Sequence, residues 1–130
     1  MKILIDTNVL ISAFITSGGQ SNEILTHAVH QHQLFFTDYI LNELKEKLKT
    51  KFHFSPTVIE GFDKFVTHFF LHGKTSVDVP KVCRDPDDDQ VLADAVVNAV
   101  DLILTGDQDL LILKTHQGIR LLHPKDYWSL

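Results

Sequence analysis

An apolar run with no polar alternation, Ile3-Leu4-Ile5, leads directly into Asp6-Thr7-Asn8. A strand with one wetted face alternates apolar and polar residues. A continuous run belongs instead to a strand covered on both faces, the situation of a parallel sheet with helices above and below it. Asp101-Leu102-Ile103-Leu104-Thr105 repeats the pattern late in the chain. Two such strands commit the fold to an α/β architecture.

The intervening sequence supplies the helices. Ser21 stands as an N-cap before Ile24, Leu25, Ala28 and Val29, which recur at helical spacing. Leu34-Phe35-Phe36-Thr37 reads as a short strand, and Thr37 or Asp38 caps a helix through Ile40, Leu41, Leu44 and Leu48. Ser55-Pro56 opens a third helix, proline being favoured at the first helical position. That helix carries Val58, Ile59, Phe62, Phe65, Val66, Phe69 and Phe70 and stops near Gly73. Val77 to Val82 reads as an extended connection or short strand, an acidic helix follows Pro86, a short helix covers Leu110 to Leu113, and Ile119 to Leu122 is the last strand. The stretch Ser17-Gly18-Gly19-Gln20 marks a loop. Strands and helices alternate throughout, which predicts a parallel sheet between two helical layers. With 130 residues the chain is expected to form one domain over 1–130.

A lone cysteine, Cys83, leaves no internal disulfide, so a reducing cytoplasm is the expected location. Asp6 and Asn8 interrupt the only stretch resembling a signal peptide. No apolar run approaches the ~18–20 residues of a membrane span. The formal charge of −5 argues against binding nucleic acid by bulk attraction. The charge is unevenly placed, however. Asp85, Asp87, Asp88, Asp89, Asp94, Asp101, Asp107 and Asp109 crowd one region, while Lys45, Lys47, Lys49 and Lys51 form a basic stretch. Clustered acids form either a solvated face or a cation site that inverts the local sign and admits phosphate.

Helical spacing sorts these acids. Val91, Leu92, Ala95 and Ala99 define an inward face with Asp88 near its middle; Asp87 and Asp89 lie to either side and Asp94 points away. Asp88 either caps its own helix or reaches into a site. In Thr105-Gly106-Asp107 the second buried strand ends as the first does, with Gly106 permitting a tight turn and close backbone approach. Asp107 caps the helix after it or faces the same sheet edge as Asp6. Glu43, four residues before Lys47, is either an ordinary surface partner or a further acid of the site. Several carboxylates in one place repel unless a divalent cation compensates them, and oxygen-only ligands suit Mg²⁺ or Mn²⁺. Such a site is equipped to hydrolyse phosphodiesters without a protein nucleophile.

These residues resemble the PIN-domain family, which includes the VapC-type ribonuclease toxins of prokaryotic toxin–antitoxin pairs. The resemblance rests on Ile5-Asp6-Thr7-Asn8-Val9-Leu10, Asn42-Glu43-Leu44, Asp85-Pro86-Asp87-Asp88 followed by Val91-Leu92, and Thr105-Gly106-Asp107-Gln108-Asp109-Leu110-Leu111. It covers nearly the whole chain in the right order. It implies a single PIN-like nuclease domain, a three-layer α/β/α sandwich around a parallel sheet of about five strands, and a Mg²⁺- or Mn²⁺-dependent RNase site. By this resemblance Asp6, Glu43, Asp88 and Asp107 are the catalytic, metal-binding acids, and Asn8 and Thr105 orient them. Asp85, Asp87 and Asp109 are outer or second-metal ligands. An RNA substrate, a cognate antitoxin on another chain and a homodimer follow as expected partners, with the outer side of Phe62, Phe65, Phe69 and Phe70 offered to the dimer.

A haloacid-dehalogenase-like phosphatase also begins with a strand ending in aspartate, but needs a second carboxylate where this chain has Asn8. The alternative from a different class is a PIN-like module that holds RNA or a protein with little turnover. Zinc at His27, His30 and His32 lacks a second ligand pair, Cys83 lacks a recognisable histidine partner, and Gly18-Gly19 lacks the Lys-Ser/Thr of a phosphate loop. For RNA, Lys45, Lys47, Lys49, Lys51 and Arg84 are the candidate phosphate contacts.

Overall fold

The computed structural model describes residues 1–16 and 18–130, so Ser17 of the expected loop lies outside the described residues. In chain order the elements are β1 (Lys2–Ile5), α1 (Thr7–Ile15), α2 (Gln20–Gln31), β2 (Gln33–Phe36), α3 (Asp38–Thr50), α4 (Pro56–Phe69), β3 (Leu71–His72), α5 (Pro86–Val97), β4 (Leu102–Leu104), α6 (Gln108–Leu111), β5 (Thr115–His116) and β6 (Ile119–Leu122). A 3₁₀ helix over Pro124–Ser129 follows. The strands form one sheet in the order β3-β2-β1-β4-β6-β5, with helices on both faces.

The two continuous apolar runs lie side by side at the centre. Ile3, Leu4 and Ile5 pair in parallel with Leu102, Ile103 and Leu104, and all six are 2 % exposed or less. From β1 the chain winds outward through β2 and β3, then returns to lay β4 against the other side of β1. The winding direction therefore reverses between β1 and β4. In open α/β sheets the crevice beyond the carboxyl ends of the strands at such a reversal is where ligands bind. Asp6 follows β1 directly, and Thr105 follows β4 directly.

The sheet has six strands rather than about five, and β5 runs antiparallel to β6. Two residues of mixed polarity, Thr115 and His116, give β5 no apolar signature to read. The hairpin turn places Gln117 and Gly118 at φ 49° and 80°, left-handed conformations whose twist matches that of paired strands.

Three further expectations change. Residues after Asp6 form α1 at once, a helix absent from the expected order of elements. This helix lies between α2 and α3 and buries Thr7, Val9, Leu10, Ile11 and Ala13, so it shows no clear polar face from which a helical period is legible. Helix α2 begins at Gln20, before Ser21, with Gly19 at its N-cap. A Cβ on Gly19 would stand 2.5 Å from Thr16 Cγ2, so any other residue there would have to displace the Thr16 side chain. Thr37 and Ser55 do cap α3 and α4, accepting from Ile40 N and Val58 N. Val77 to Val82 is irregular.

The third correction concerns Asp94. It is fully buried instead of pointing to solvent. Its Oδ2 accepts from Thr37 Oγ1 at 2.7 Å, and its Oδ1 accepts from Ser76 N and Gln90 Nε2, each at 2.8 Å. Asp94 thus ties α5 to the start of α3 and to the segment leading in from β3. A lone buried carboxylate is costly, and these donors offset that cost.

Candidate functional site

Asp6 is 8 % exposed and occupies the N-cap position of α1 without capping it. Its Oδ2 instead accepts a 2.8 Å hydrogen bond from Thr105 Oγ1 across the β1–β4 boundary. Thr105, fully buried, also accepts from Asp107 N at 3.0 Å. One threonine hydroxyl therefore fixes the aspartate of one strand end and the turn that carries the aspartate of the other. Asp107 Oδ1 caps α6, accepting from Asp109 N at 2.8 Å. Gly106 is not demanded by space or by a left-handed φ: a Cβ there would meet only His123 Nε2, at 4.0 Å.

Asp88 enters from the first turn of α5 and is 8 % exposed. It does not cap its helix; Asp85 does, accepting from Asp87 N at 2.9 Å. Asp88 Oδ2 is buried with no hydrogen-bond partner. Asp88, Asp107 and Asp109 each offer a carboxylate oxygen, and these oxygens lie within 4.8 Å of one another. Glu43 approaches from α3 on the Asp6 side, accompanied by Lys47. The ammonium of Lys47 donates to Asn8 Oδ1 at 3.2 Å and lies 3.7 Å from Glu43 Oε1. Asn8 is exposed and bonds to Lys47, whereas the orienting hydroxyl on Asp6 comes from Thr105.

The acids feel one another. Burial raises the Asp6 carboxyl above its usual 3.8; the Thr105 hydrogen bond opposes this, Glu43 and Asp107 add to it, and Lys47 offsets part. The Asp88 carboxyl is pushed up from 3.8 to about 7, first by burial and then by Asp107, Asp85 and Asp6. A buried oxygen without a donor beside several other carboxylates is a poor place for a proton-free acid, and a suitable one for a cation. An all-oxygen donor set with one orphaned buried carboxylate oxygen fits a hard divalent ion of the Mg²⁺ or Mn²⁺ kind.

A family model described as PIN domain matches residues 2–109. The chain belongs to the PIN domain family. No curated protein matches it in sequence. Among solved structures it is similar to VapBC2 from Rickettsia felis bound to a DNA fragment from their promoter, with TM-score 0.69 and 12 % identity over 95 % of this chain and 98 % of that one. VapC20 from Mycobacterium tuberculosis, a sarcin-ricin loop cleaving toxin, gives TM-score 0.61 and 10 % identity over 91 % and 98 %. FitAcB from Neisseria gonorrhoeae gives 0.58 and 15 % over 98 % and 99 %. At these identities the likeness speaks for the fold. No helix among the described residues of this PIN domain is long and apolar enough to cross a membrane.

The basic residues separate. Lys45 faces away from the acids and pairs with Asp63 of α4 at 2.8 Å; Lys49 and Lys51 are exposed. Lys47 alone of the four stands among the acids. Arg84 Nη2 bridges Asp109 Oδ1 and Oδ2 at 2.8 and 3.0 Å. Asp87 accepts from the Tyr39 hydroxyl, linking α5 to α3. Sequence reasoning missed Tyr39 altogether; its position at the second residue of α3, four before Glu43, was the available signal. Burial and then Asp89, Asp88, Asp109 and Asp107 push the Cys83 thiol up, which disfavours a thiolate there.

The Asp88 shift sets a pH dependence of stability. Between about 3.8 and 7 the unfolded chain has released this proton while the folded chain retains it. Its contribution is therefore intact below about 3.8, declines as pH rises, and is lost above about 7. Metal-free protein in EDTA is expected to lose on the order of 2 kcal/mol between about pH 5.5 and 7.5 from this group. Denaturant melts of wild type against Asp88→Asn read the difference; parallel pH profiles would refute it.

Proposed function

We propose that this PIN domain is a metal-dependent endoribonuclease that hydrolyses RNA phosphodiester bonds and acts as the toxin of a type II toxin–antitoxin pair. The observation that carries this reading is the partnerless, buried Asp88 Oδ2 among carboxylates gathered at the winding reversal of the sheet. In it Asp6, Glu43, Asp88 and Asp107 hold Mg²⁺ or Mn²⁺. The bound ion would supply charge compensation for the acids and Lewis acidity toward a phosphate oxygen. Thr105 holds Asp6 in place through its 2.8 Å bond, and Asp85 holds the first turn of α5 that presents Asp88. Lys47, bonded to Asn8 and beside Glu43, would be available to a phosphate with the ion bound. The likeness to VapBC2 and FitAcB supports an antitoxin as the partner. A homodimer through α4 belongs to the same reading: Phe69 is 46 % exposed there, while Phe70 is buried and Phe62 and Phe65 pack against Phe14.

The test is cleavage of labelled single-stranded RNA by purified protein in Mn²⁺, Mg²⁺ or EDTA. Cleavage with either ion and none in EDTA is expected. Equal cleavage in EDTA would remove the metal from the mechanism, and inertness across diverse RNAs would favour the binding-module alternative.

A further inference from the structure

Among the described residues, Arg84 is the one site cation bound to an acid that also belongs to the close carboxylate trio. Its Nη2 spans both oxygens of Asp109 at 2.8 and 3.0 Å, and Asp109 lies with Asp88 and Asp107 in the group whose ligand oxygens fall within 4.8 Å. Asp88, in the same trio, keeps a buried oxygen with no partner. Asp109 therefore faces two claims, from the guanidinium outside and from whatever compensates Asp88 inside. The Arg84 side chain is 87 % exposed, so it leaves Asp109 without crossing packed structure. Its backbone neighbour is pinned: Cys83 N donates to Asp89 Oδ1 at 2.7 Å, and the thiol lies 4.0 Å from the Asp109 carbonyl oxygen. The guanidinium can swing while its Cα stays beside the site.

Resting on the nuclease reading above, we propose that Arg84 and the divalent cation compete for Asp109, so that filling the site releases Arg84 to a phosphate of the RNA. Metal-free protein keeps the arginine occupied and holds RNA weakly at this edge. Metal-loaded protein presents a free guanidinium next to the acids. Arg84 is then a substrate-binding residue that couples metal occupancy to RNA binding.

Mn²⁺ binding by calorimetry to EDTA-stripped wild type, Arg84→Gln, Asp109→Asn and the double variant measures the competition without any turnover. Arg84→Gln is expected to tighten Mn²⁺ binding about three- to fivefold, the scale of an exposed ion pair. In the Asp109→Asn background the same change should have less than about a twofold effect. Equal tightening in both backgrounds would mean a general charge effect and overturn the proposal, as would weakening. No Mn²⁺ binding by any variant would instead overturn the nuclease reading itself. The second arm uses a mixed-sequence single-stranded phosphorothioate RNA as probe. Arg84→Gln should weaken its binding about three- to tenfold in Mn²⁺ and less than about twofold in EDTA; equal weakening in both conditions would overturn the release of Arg84.

Discussion

Asp6→Asn is expected to lower the proposed metal-dependent RNA cleavage by at least about 100-fold while leaving the fold in place, the largest effect of any single substitution proposed here. Loss of a residue that merely orients a metal ligand costs ~10- to 100-fold, and Asp6 is proposed as a ligand. Asparagine keeps the size of the side chain and retains an oxygen able to accept the 2.8 Å bond from Thr105. It removes the charge from a group already disfavoured as an anion by burial, Glu43 and Asp107. The metal-free variant should therefore be no less stable than wild type by circular-dichroism melting. Thr105→Val, which deletes the hydroxyl and keeps the shape, should fall between the two in cleavage. Unchanged cleavage by Asp6→Asn would show that the chemistry lies elsewhere.

Asp94→Ala should do the reverse, harming the fold without touching the acid cluster. The substitution leaves Thr37 Oγ1 without its acceptor in a fully buried place, and Ser76 N and Gln90 Nε2 without theirs in a partly buried one. Hydrogen bonds to a charged group contribute ~1.5–3 kcal/mol each and are not additive, so a loss of about 3–4 kcal/mol is expected. For a chain of this length that corresponds to a Tm lower by on the order of 10 °C. Asp94→Asn keeps one acceptor and should cost less. A melting curve for Asp94→Ala within ~1 °C of wild type would remove Asp94 from the fold's supports.

The contrast between Asp6 and Asp94 shows what a sequence discloses. Asp6 was legible because its position follows from local facts: an apolar run has to end somewhere, and a parallel sheet puts that end at its carboxyl edge. The same reasoning carried Thr105 and Asp107, and helical spacing placed Asp88 on the inward face. Asp94 obeys a different logic. Spacing assigns it to the outer side of α5, but its partners come from Thr37 and Ser76 on separate segments, and only the assembled fold brings them together. The pairing of Arg84 with Asp109 was hidden for the same reason, although both residues were singled out separately. Helix α1 escaped notice because a helix packed on most sides carries no polar face. Thr115 and His116 escaped because two residues make no pattern.

The sheet ends at β3 on one side and β5 on the other, each only two residues long. An incoming strand adds to a sheet through a succession of open backbone donors and acceptors. Neither rim of this sheet offers such a row. Among the described residues, lengthwise growth of the sheet from molecule to molecule, the geometry of fibrils and of donated strands, therefore finds no long edge strand as a template. Copies or partners are left to meet it through helices and side chains.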